Sequence, residues 1–573
     1  MNALGEGGTL EEDVNSGKRY GGRLALAFMP TEDITITPRI VYQKVEADGF
    51  NRQEVFNLFA NPNTTTRPAI QLEEREQYLL LREGFDDEFL LADLNIAIGL
   101  GAVTLTSATS YVDREILVSR DASALTGSVS VDLGFPAAAV VLPSNLRDTT
   151  NVKQFTQEVR LSSSYDGPFQ WLIGGFYSDV DRSYEQRLPT PGYDAFTDAV
   201  LGAGTSAAVA YGFPANSPDN SDLPYKIKQK ALFGEVSYAF GSVTATAGLR
   251  WYDFEEERQF KSGGLFANGD NRSDTTKSDG FTPRFLLSWE ATDDLTVNAH
   301  ASKGFRLGGV NDPLNLPLCT PGNAAIFGGF QDYDDESLWN FEAGIRARGP
   351  SGLRFNAAAF YTDISNLQVT LDAGSCSSRI VFNVPKAHTM GIEAEIGLEF
   401  AKGFDISMSG SLIEAEFDST VVNANGSVLG GIRECNRLPS VPEFQMAATA
   451  TYTALLSDRM DGFLSATFQH VGSRFTQPSD QEPSTVTFVS NLPFGGATGT
   501  NGTTLDLRLP VYNLVKISAG VRMASGTDIT IYANNLLDEN ALPSFDRERG
   551  GRARLGFNIG QPRIIGMTVR QSF

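Results

Sequence analysis

The chain alternates. Val243, Ala245, Ala247, Leu249 and Trp251 are apolar, and Thr244, Thr246, Gly248, Arg250 and Tyr252 stand between them. Trp339, Phe341, Ala343, Ile345 and Ala347 alternate with Asn340, Glu342, Gly344, Arg346 and Arg348. Ile392, Ala394, Ile396, Leu398 and Phe400 do so with Glu393, Glu395, Gly397 and Glu399, and Val515, Ile517, Ala519, Val521 and Met523 with Lys516, Ser518, Gly520 and Arg522. A strand sends successive side chains to opposite faces, so each segment predicts a strand with one apolar and one polar face. Leu249, Trp251, Phe341, Ile345, Ile396 and Ile517 belong to the first face. Arg250, Arg346, Lys516 and Glu395 belong to the second.

The connections fall into two kinds. Short polar turns lie at 30–33, 99–101, 165–167, 240–242, 292–294, 349–352, 402–403, 458–462 and 525–527. Long loops lie at 46–84, 119–150, 184–225, 258–277, 304–335, 370–379, 417–441, 475–510 and 538–561. Short turns at one end and long loops at the other predict a transmembrane antiparallel β-barrel with lipid outside and a polar lumen. Trp171 and Trp289 lie beside short turns and Trp251 and Trp339 one span away, as aromatic girdles at both rims of an apolar band require. Pro38 and Pro283 interrupt two strands and predict an irregularity there. Residues 194–212, rich in Ala and Gly, have no amphipathic stripe and read as loop.

Composition narrows the choice. Hydrophobic residues make up 41% of the 573, and no apolar run is long enough for a membrane helix; strands leave no such run. With 38 Phe and 56 Gly the chain is not a disordered one. A net charge of −23 argues against nucleic-acid binding. The first residues, Met-Asn-Ala-Leu-Gly-Glu-Gly-Gly, do not read as a signal peptide. About 19 strands can be counted, the first descending from the loop side and the last also ending on the turn side. Single-chain bacterial barrels have an even count, so the expectation is a barrel over residues 1–573 that is incomplete at its N-terminus. An intact 19-stranded barrel is the alternative.

Several segments are specific enough to carry a resemblance: Phe155-Thr-Gln-Glu-Val-Arg-Leu161 before Trp171-Leu-Ile-Gly-Gly-Phe-Tyr177, Tyr252-Asp-Phe-Glu-Glu-Glu257, Ser302-Lys-Gly-Phe-Arg306, Asn383-Val-Pro-Lys386 before Gly391-Ile-Glu-Ala-Glu395, and Asn534-Asn-Leu-Leu-Asp-Glu539 before a last strand ending in Phe573. The chain resembles the barrel region of TonB-dependent receptors, active importers of the Gram-negative outer membrane. The resemblance implies 22 strands, of which about 19 are present, and a lumen plug with a TonB-contacting box, neither of which is found here. It also implies that Phe573 is read by the barrel-assembly machinery, and that outer-membrane lipid and lipopolysaccharide surround the wall.

No nucleophile elbow, phosphate loop or zinc motif occurs, and neither catalysis nor a cofactor is expected. His300, His388 and His470 are far apart and read as lumen or loop residues. The acidic group Asp332, Asp334, Asp335 and Glu336 reads as a solvated loop. On the lumen face, Arg346, Arg348 and Arg354 meet Glu393, Glu395 and Glu399, which predicts a ladder of salt bridges, or else a surface for plug docking or substrate guidance. Cys319 and Cys376 fall in neighbouring exterior loops and are the expected disulfide. Cys376–Cys435, or no bridge, are the alternatives. The expected function is uptake of a scarce, large substrate such as a ferric siderophore, energised through TonB in the full-length protein. A passive plugless barrel, porin-like or adhesin-like, is the alternative.

Overall fold

The computed structural model describes residues 10–423, 426–483 and 485–573. Its main sheet runs in chain order through β1 (Gly17–Ala25, continued by Phe28–Thr31), β2 (Ile34–Ala47), β3 (Gly84–Gly99), β4 (Val103–Asp121), β5 (Asn145–Ser163), β6 (Phe169–Arg187), β7 (Asn220–Phe240), β8 (Val243–Gly263), β9 (Asn271–Thr292) and β10 (Leu295–Arg306). It continues through β11 (Glu336–Arg348), β12 (Arg354–Asp372), β13 (Arg379–Ala401), β14 (Phe404–Phe417), β15 (Phe444–Ser457), β16 (Met460–Val471), β17 (Tyr512–Met523), β18 (Thr527–Asn534) and β19 (Ile564–Gln571). The sheet has 20 strand segments, two of which are the halves of β1, so the wall is crossed nineteen times. Every pairing is antiparallel between consecutive crossings, and all the short turns therefore lie at one end. Among the described residues, β1 and β19 each pair on one side only.

The faces follow the alternation. Leu232 is 63% exposed, Phe240 64% and Ile565 72%, and Leu249, Phe341, Ile345, Ile396 and Ile517 are exposed on the same outer surface. Trp251 pairs across the ladders with Leu232 and Phe281 of that surface. Arg250 points the other way, its guanidinium over the rings of Phe176 and Phe233 at 5.4 and 5.8 Å. Arg346 and Glu395 face the lumen. Lys516 lies opposite Thr467, whose hydroxyl bonds that of Thr449. Large exposed apolar side chains recurring on most of the strands are stable only against lipid.

Aromatics gather at both rims. Tyr238, Phe240 and Trp289 mark the turn end, and Tyr20, Tyr111, Phe155, Trp251 and Phe281 the loop end. From Val243 to Trp251 the tilted strand climbs roughly 20 Å, close to the height of an outer-membrane apolar band. At the turn end, Gly403 has φ 76°, and a Cβ there would collide with the Thr453 carbonyl oxygen, so the two-residue turn requires glycine.

The two strand prolines act in ways their own strands do not show. β2 pairs with β3 straight through Pro38, and it is β1 that breaks, at the residues facing Pro38. β9 pairs with β8 straight through Pro283, but its pairing with β10 begins only at Arg284. Beyond Pro283 the wall parts, and Gly309–Val310 paired with Asp332–Tyr333 borders an open cavity against residues 274–277 of β9.

The region read as loop at 194–212 contains two helices, α1 (Tyr193–Leu201) and α2 (Thr205–Val209). α1 is held by a short face, the fully buried Tyr193 and Thr197 with Phe196 beside them. Tyr193 packs against Phe135 and Phe266 at 5.6 and 5.7 Å and shares a hydrogen bond with Ser130 at 3.0 Å.

Candidate functional site

The long loops fold on one another into a cap. Arg52–Asn57, from the loop after β2, pairs with Arg554–Asn558, which pairs with Ser544–Glu548, both from the loop before β19. The first and last long loops are thus joined by backbone hydrogen bonds. Phe56, Leu507, Leu509, Phe545, Leu555 and Phe557 form a core beneath this small sheet.

The sheet carries buried charge. Arg52 reaches Glu54 at 3.3 Å and Glu83 at 2.9 Å, while Arg554 reaches Glu54 at 3.4 Å, Asp546 at 3.5 Å and Glu548 at 3.8 Å. Burial raises the Glu548 carboxyl above its ordinary range, opposed by Arg554. Arg549 ties three loops together, donating to Ser128 Oγ and Asp132 Oδ2, each at 3.0 Å, and to the Leu318 carbonyl at 3.4 Å. Cys319 and Cys376 are bonded, with Cα atoms 4.2 Å apart, and Cys435 is free and exposed.

On the lumen wall lies an open cavity of about 740 Å³ whose lining includes Arg284, His300, Glu342, Arg346, Glu393 and Glu395. The expected salt-bridge ladder does not form here. Register sets Arg346 opposite Asn356, and Asn356 opposite Glu395, so a whole strand separates Arg346 and Arg348 from the glutamates, while Arg354, on that intervening strand, falls opposite Gly397 between Glu395 and Glu399. Asn356 donates to Glu395 at 3.4 Å, and Arg348 faces Arg354 directly. Among the described residues none of Arg346, Arg348 and Arg354 pairs with Glu393, Glu395 or Glu399. These side chains are left available to whatever occupies the lumen.

The other singled-out residues have local partners. His388 bonds Asp418 at 2.8 Å and His470 bonds Asn513 at 2.8 Å. No group of His, Cys, Asp and Glu is placed to hold a metal ion among the described residues. The acidic group fastens its loop: Asp335 accepts from Ser278 and from the Gly308 amide, and Glu336 accepts from the Gln368 amide at 2.8 Å. Phe573 lies just past the end of β19 and is exposed, while Ile565, Met567 and Val569 share the outer face. Sequence reading missed the cap: the Arg52–Asn57 strand, Arg549 and Arg554. The alternation Arg-Gln-Glu-Val-Phe-Asn was the available signal.

Residues 41–536 match the family described as TonB dependent receptor-like, beta-barrel. The chain belongs to this family. It is therefore an outer-membrane protein of the Gram-negative type, from a family of receptors and transporters rather than enzymes. The pesticin receptor of Yersinia pestis is 22% identical over 440 residues, covering 77% of this chain and 54% of the relative. The chain thus spans about half the length of the curated relatives it matches. Among solved structures, the ferric yersiniabactin uptake receptor FyuA from Yersinia pestis superimposes with a TM-score of 0.67 at 14% identity, covering 97% of this chain and 71% of that one. The siderophore receptor PiuA from Acinetobacter baumannii gives 0.66 at 15%, covering 98% and 75%. At these identities the two structures support the fold of the receptor barrel.

Proposed function

We propose that this chain is the barrel region of a longer receptor that captures a scarce, large substrate such as a ferric siderophore and imports it with energy delivered through TonB. The observation that carries the reading is the cap. Folded loops with their own cores and buried ion pairs build a shaped extracellular surface, which a simple diffusion pore does not need. The lumen charges without partners of their own suit contact with a plug carried elsewhere in the full-length protein. The one-sided pairing of β1 and β19 and the odd number of crossings support about three further strands between those edges. Phe573 serves as the end recognised by the barrel-assembly machinery, and lipopolysaccharide borders the wall.

The test is uptake. The full-length gene product, expressed in a Gram-negative strain lacking its own siderophore receptors, is offered a panel of radiolabelled ferric siderophores. Uptake of at least one, abolished when the proton-motive force is dissipated, is the expected result. Energy-independent passage, or ion conductance in planar bilayers without uptake, would make the barrel a passive one.

A further inference from the structure

We infer that the upper edge of β9 docks an extended, basic segment of a partner protein outside the cell, which pairs with the wall as a further strand. The inference goes beyond uptake and needs only that the loop end faces outward.

The free edge follows from one proline. At the two ends of the β8–β9 ladder, the Ser262 amide donates to the Asp270 carbonyl and the Glu290 amide to the Ser242 carbonyl. The register between them is unbroken, so the even-numbered residues of β9 turn their N–H and C=O toward β8 and the odd-numbered ones toward β10. Pro283 is odd-numbered and has no N–H to give on the β10 side. Pairing with β10 accordingly climbs no higher than Arg284. β10 itself ends at Arg306, opposite Glu336 of β11, whereas β9 continues beside β8 up to Asn271. The backbone groups of Ser273, Thr275, Lys277 and Asp279 thus face away from β8 and form no hydrogen bond on that side among the described residues. Such a row of unpaired strand groups is a template for another chain.

The space beside the edge suits a strand. An open cavity of about 670 Å³ is lined by four successive residues, Asp274, Thr275, Thr276 and Lys277. Side chains alternate between faces, so a cavity that meets all four lies along the edge rather than against one face. Its far side is the hairpin of Gly309–Val310 with Asp332–Tyr333. Phe281 lies level with Trp251 in the upper girdle, so residues 271–280 stand above the apolar band, within reach of a protein outside the cell.

Charge selects a basic partner. The two cations that line the slot are already paired, Arg272 with Asp274 at 3.5 Å and Lys277 with Glu255 at 2.8 Å. Asp335 is taken by Ser278 and the Gly308 amide. Asp332 and Asp334 are exposed on the far side and form no ion pair among the described residues. The slot therefore offers backbone groups for pairing and two uncompensated carboxylates, which favours a segment carrying lysine or arginine and disfavours an acidic one.

The probe is a labelled eight-residue peptide of alternating lysine and threonine, blocked at both ends and titrated onto the full-length protein in mild detergent, with fluorescence anisotropy as the readout. It should bind, and the same peptide with glutamate for lysine should bind at least about tenfold more weakly. N-methylation of the two central amides, one on each edge of the peptide, keeps the charge and should weaken binding about tenfold. T275P removes one N–H from the free edge of β9 and should weaken binding by several-fold, whereas T275V should match the wild type. D332N/D334N should weaken binding about fivefold at low salt. No binding of the lysine peptide, equal binding of its N-methylated form, or wild-type binding by T275P or D332N/D334N would overturn the site. Should T275P not show the heat-modifiable folded band, the N-methylated peptide on the wild type decides alone. The titration needs no energised membrane, so failure of siderophore uptake would leave the site standing, and failure of the titration would leave uptake standing.

Discussion

The wall and the cap handle the same kinds of residue in opposite ways. In the wall, Leu232, Phe240 and Ile565 are more than half exposed, while in the cap Tyr193, Ile432 and Ala553 are fully buried. In the wall, lumen arginines stay partly exposed, Arg346 beside the neutral Asn356 and Arg39 and Arg114 paired with Asp93 and Asp87. In the cap, Arg52 and Arg554 are buried against Glu54, Glu83 and Glu548. The wall takes its stability from its ladder and from lipid, whereas the cap is built like a small water-soluble domain whose parts come from distant stretches of chain. Solvent explains the difference: a strand in lipid buries its apolar face without a partner, but a loop in water must find one.

The comparison can be broken most readily at Tyr193. Tyr193→Ala removes the packing against Phe135 and Phe266 and should cost the cap about 3–5 kcal/mol. Limited proteolysis should cut the loops at 122–144 and 188–219 much faster, while the heat-modifiable shift of the wall stays in place. A fall in both together would mean that wall and cap unfold as one unit.

Leu249→Arg reverses the test. A charge at mid-band on the lipid face should cost about 2–4 kcal/mol, read as a lower unfolding midpoint in lipid, with cap proteolysis unchanged at low temperature. The partner change Arg250→Leu, one residue along and facing the lumen, should leave the midpoint almost unmoved. Equal effects from the two would refute the assignment of faces.

The Cys319–Cys376 bridge closes a span of 57 residues within the cap. Its removal by C319S/C376S should cost the cap up to about 4 kcal/mol in the chain-entropy model and commonly less. Thiol titration of the unreduced folded protein should find one reactive cysteine, Cys435. Finding three would mean that the bridge is not formed in the cell.

The smallest expected effect is that of pH. Burial, reinforced by the neighbouring Asp148 carboxylate, pushes the Asp219 carboxyl up to about 7. The folded cap therefore holds that proton more tightly than the unfolded chain does. This contribution is complete below the ordinary carboxylate range and is lost as pH rises through about 7. Proteolysis of the cap should accelerate between pH 4 and pH 7, and Asp219→Asn should flatten that dependence. A cap that loosens on acidification by way of Asp219 would contradict the sign.

The wall was legible in the sequence because its rule is local. Val243 to Trp251 announces its faces by period alone, and 240–242 announces its turn. The consequences of Pro38 and Pro283 were only half legible, since each acts on a neighbouring strand that its own segment does not name. The cap was illegible for a related reason. Arg52–Asn57 is recognisable as a short alternating run, but nothing near it specifies Arg554–Asn558 as its partner. α1 buries only Tyr193 and Thr197, with Phe196 packed beside them, a face of one turn that is too short to stand out from the Ala and Gly around it. The lumen ladder looked paired because opposite charges recur at matching positions; the intervening strand, carrying Asn356, became visible only with register.

The central claim, a wall with every short turn on one side of the membrane and every long loop on the other, is tested most directly by accessibility in intact cells. Cys435, in a long loop, should react with a membrane-impermeant maleimide on whole cells carrying the full-length protein. Ser525→Cys, in a short turn and in a Cys435→Ser background, should react only after the outer membrane is permeabilised. Labelling of the turn on intact cells, or protection of Cys435 until permeabilisation, would contradict the account.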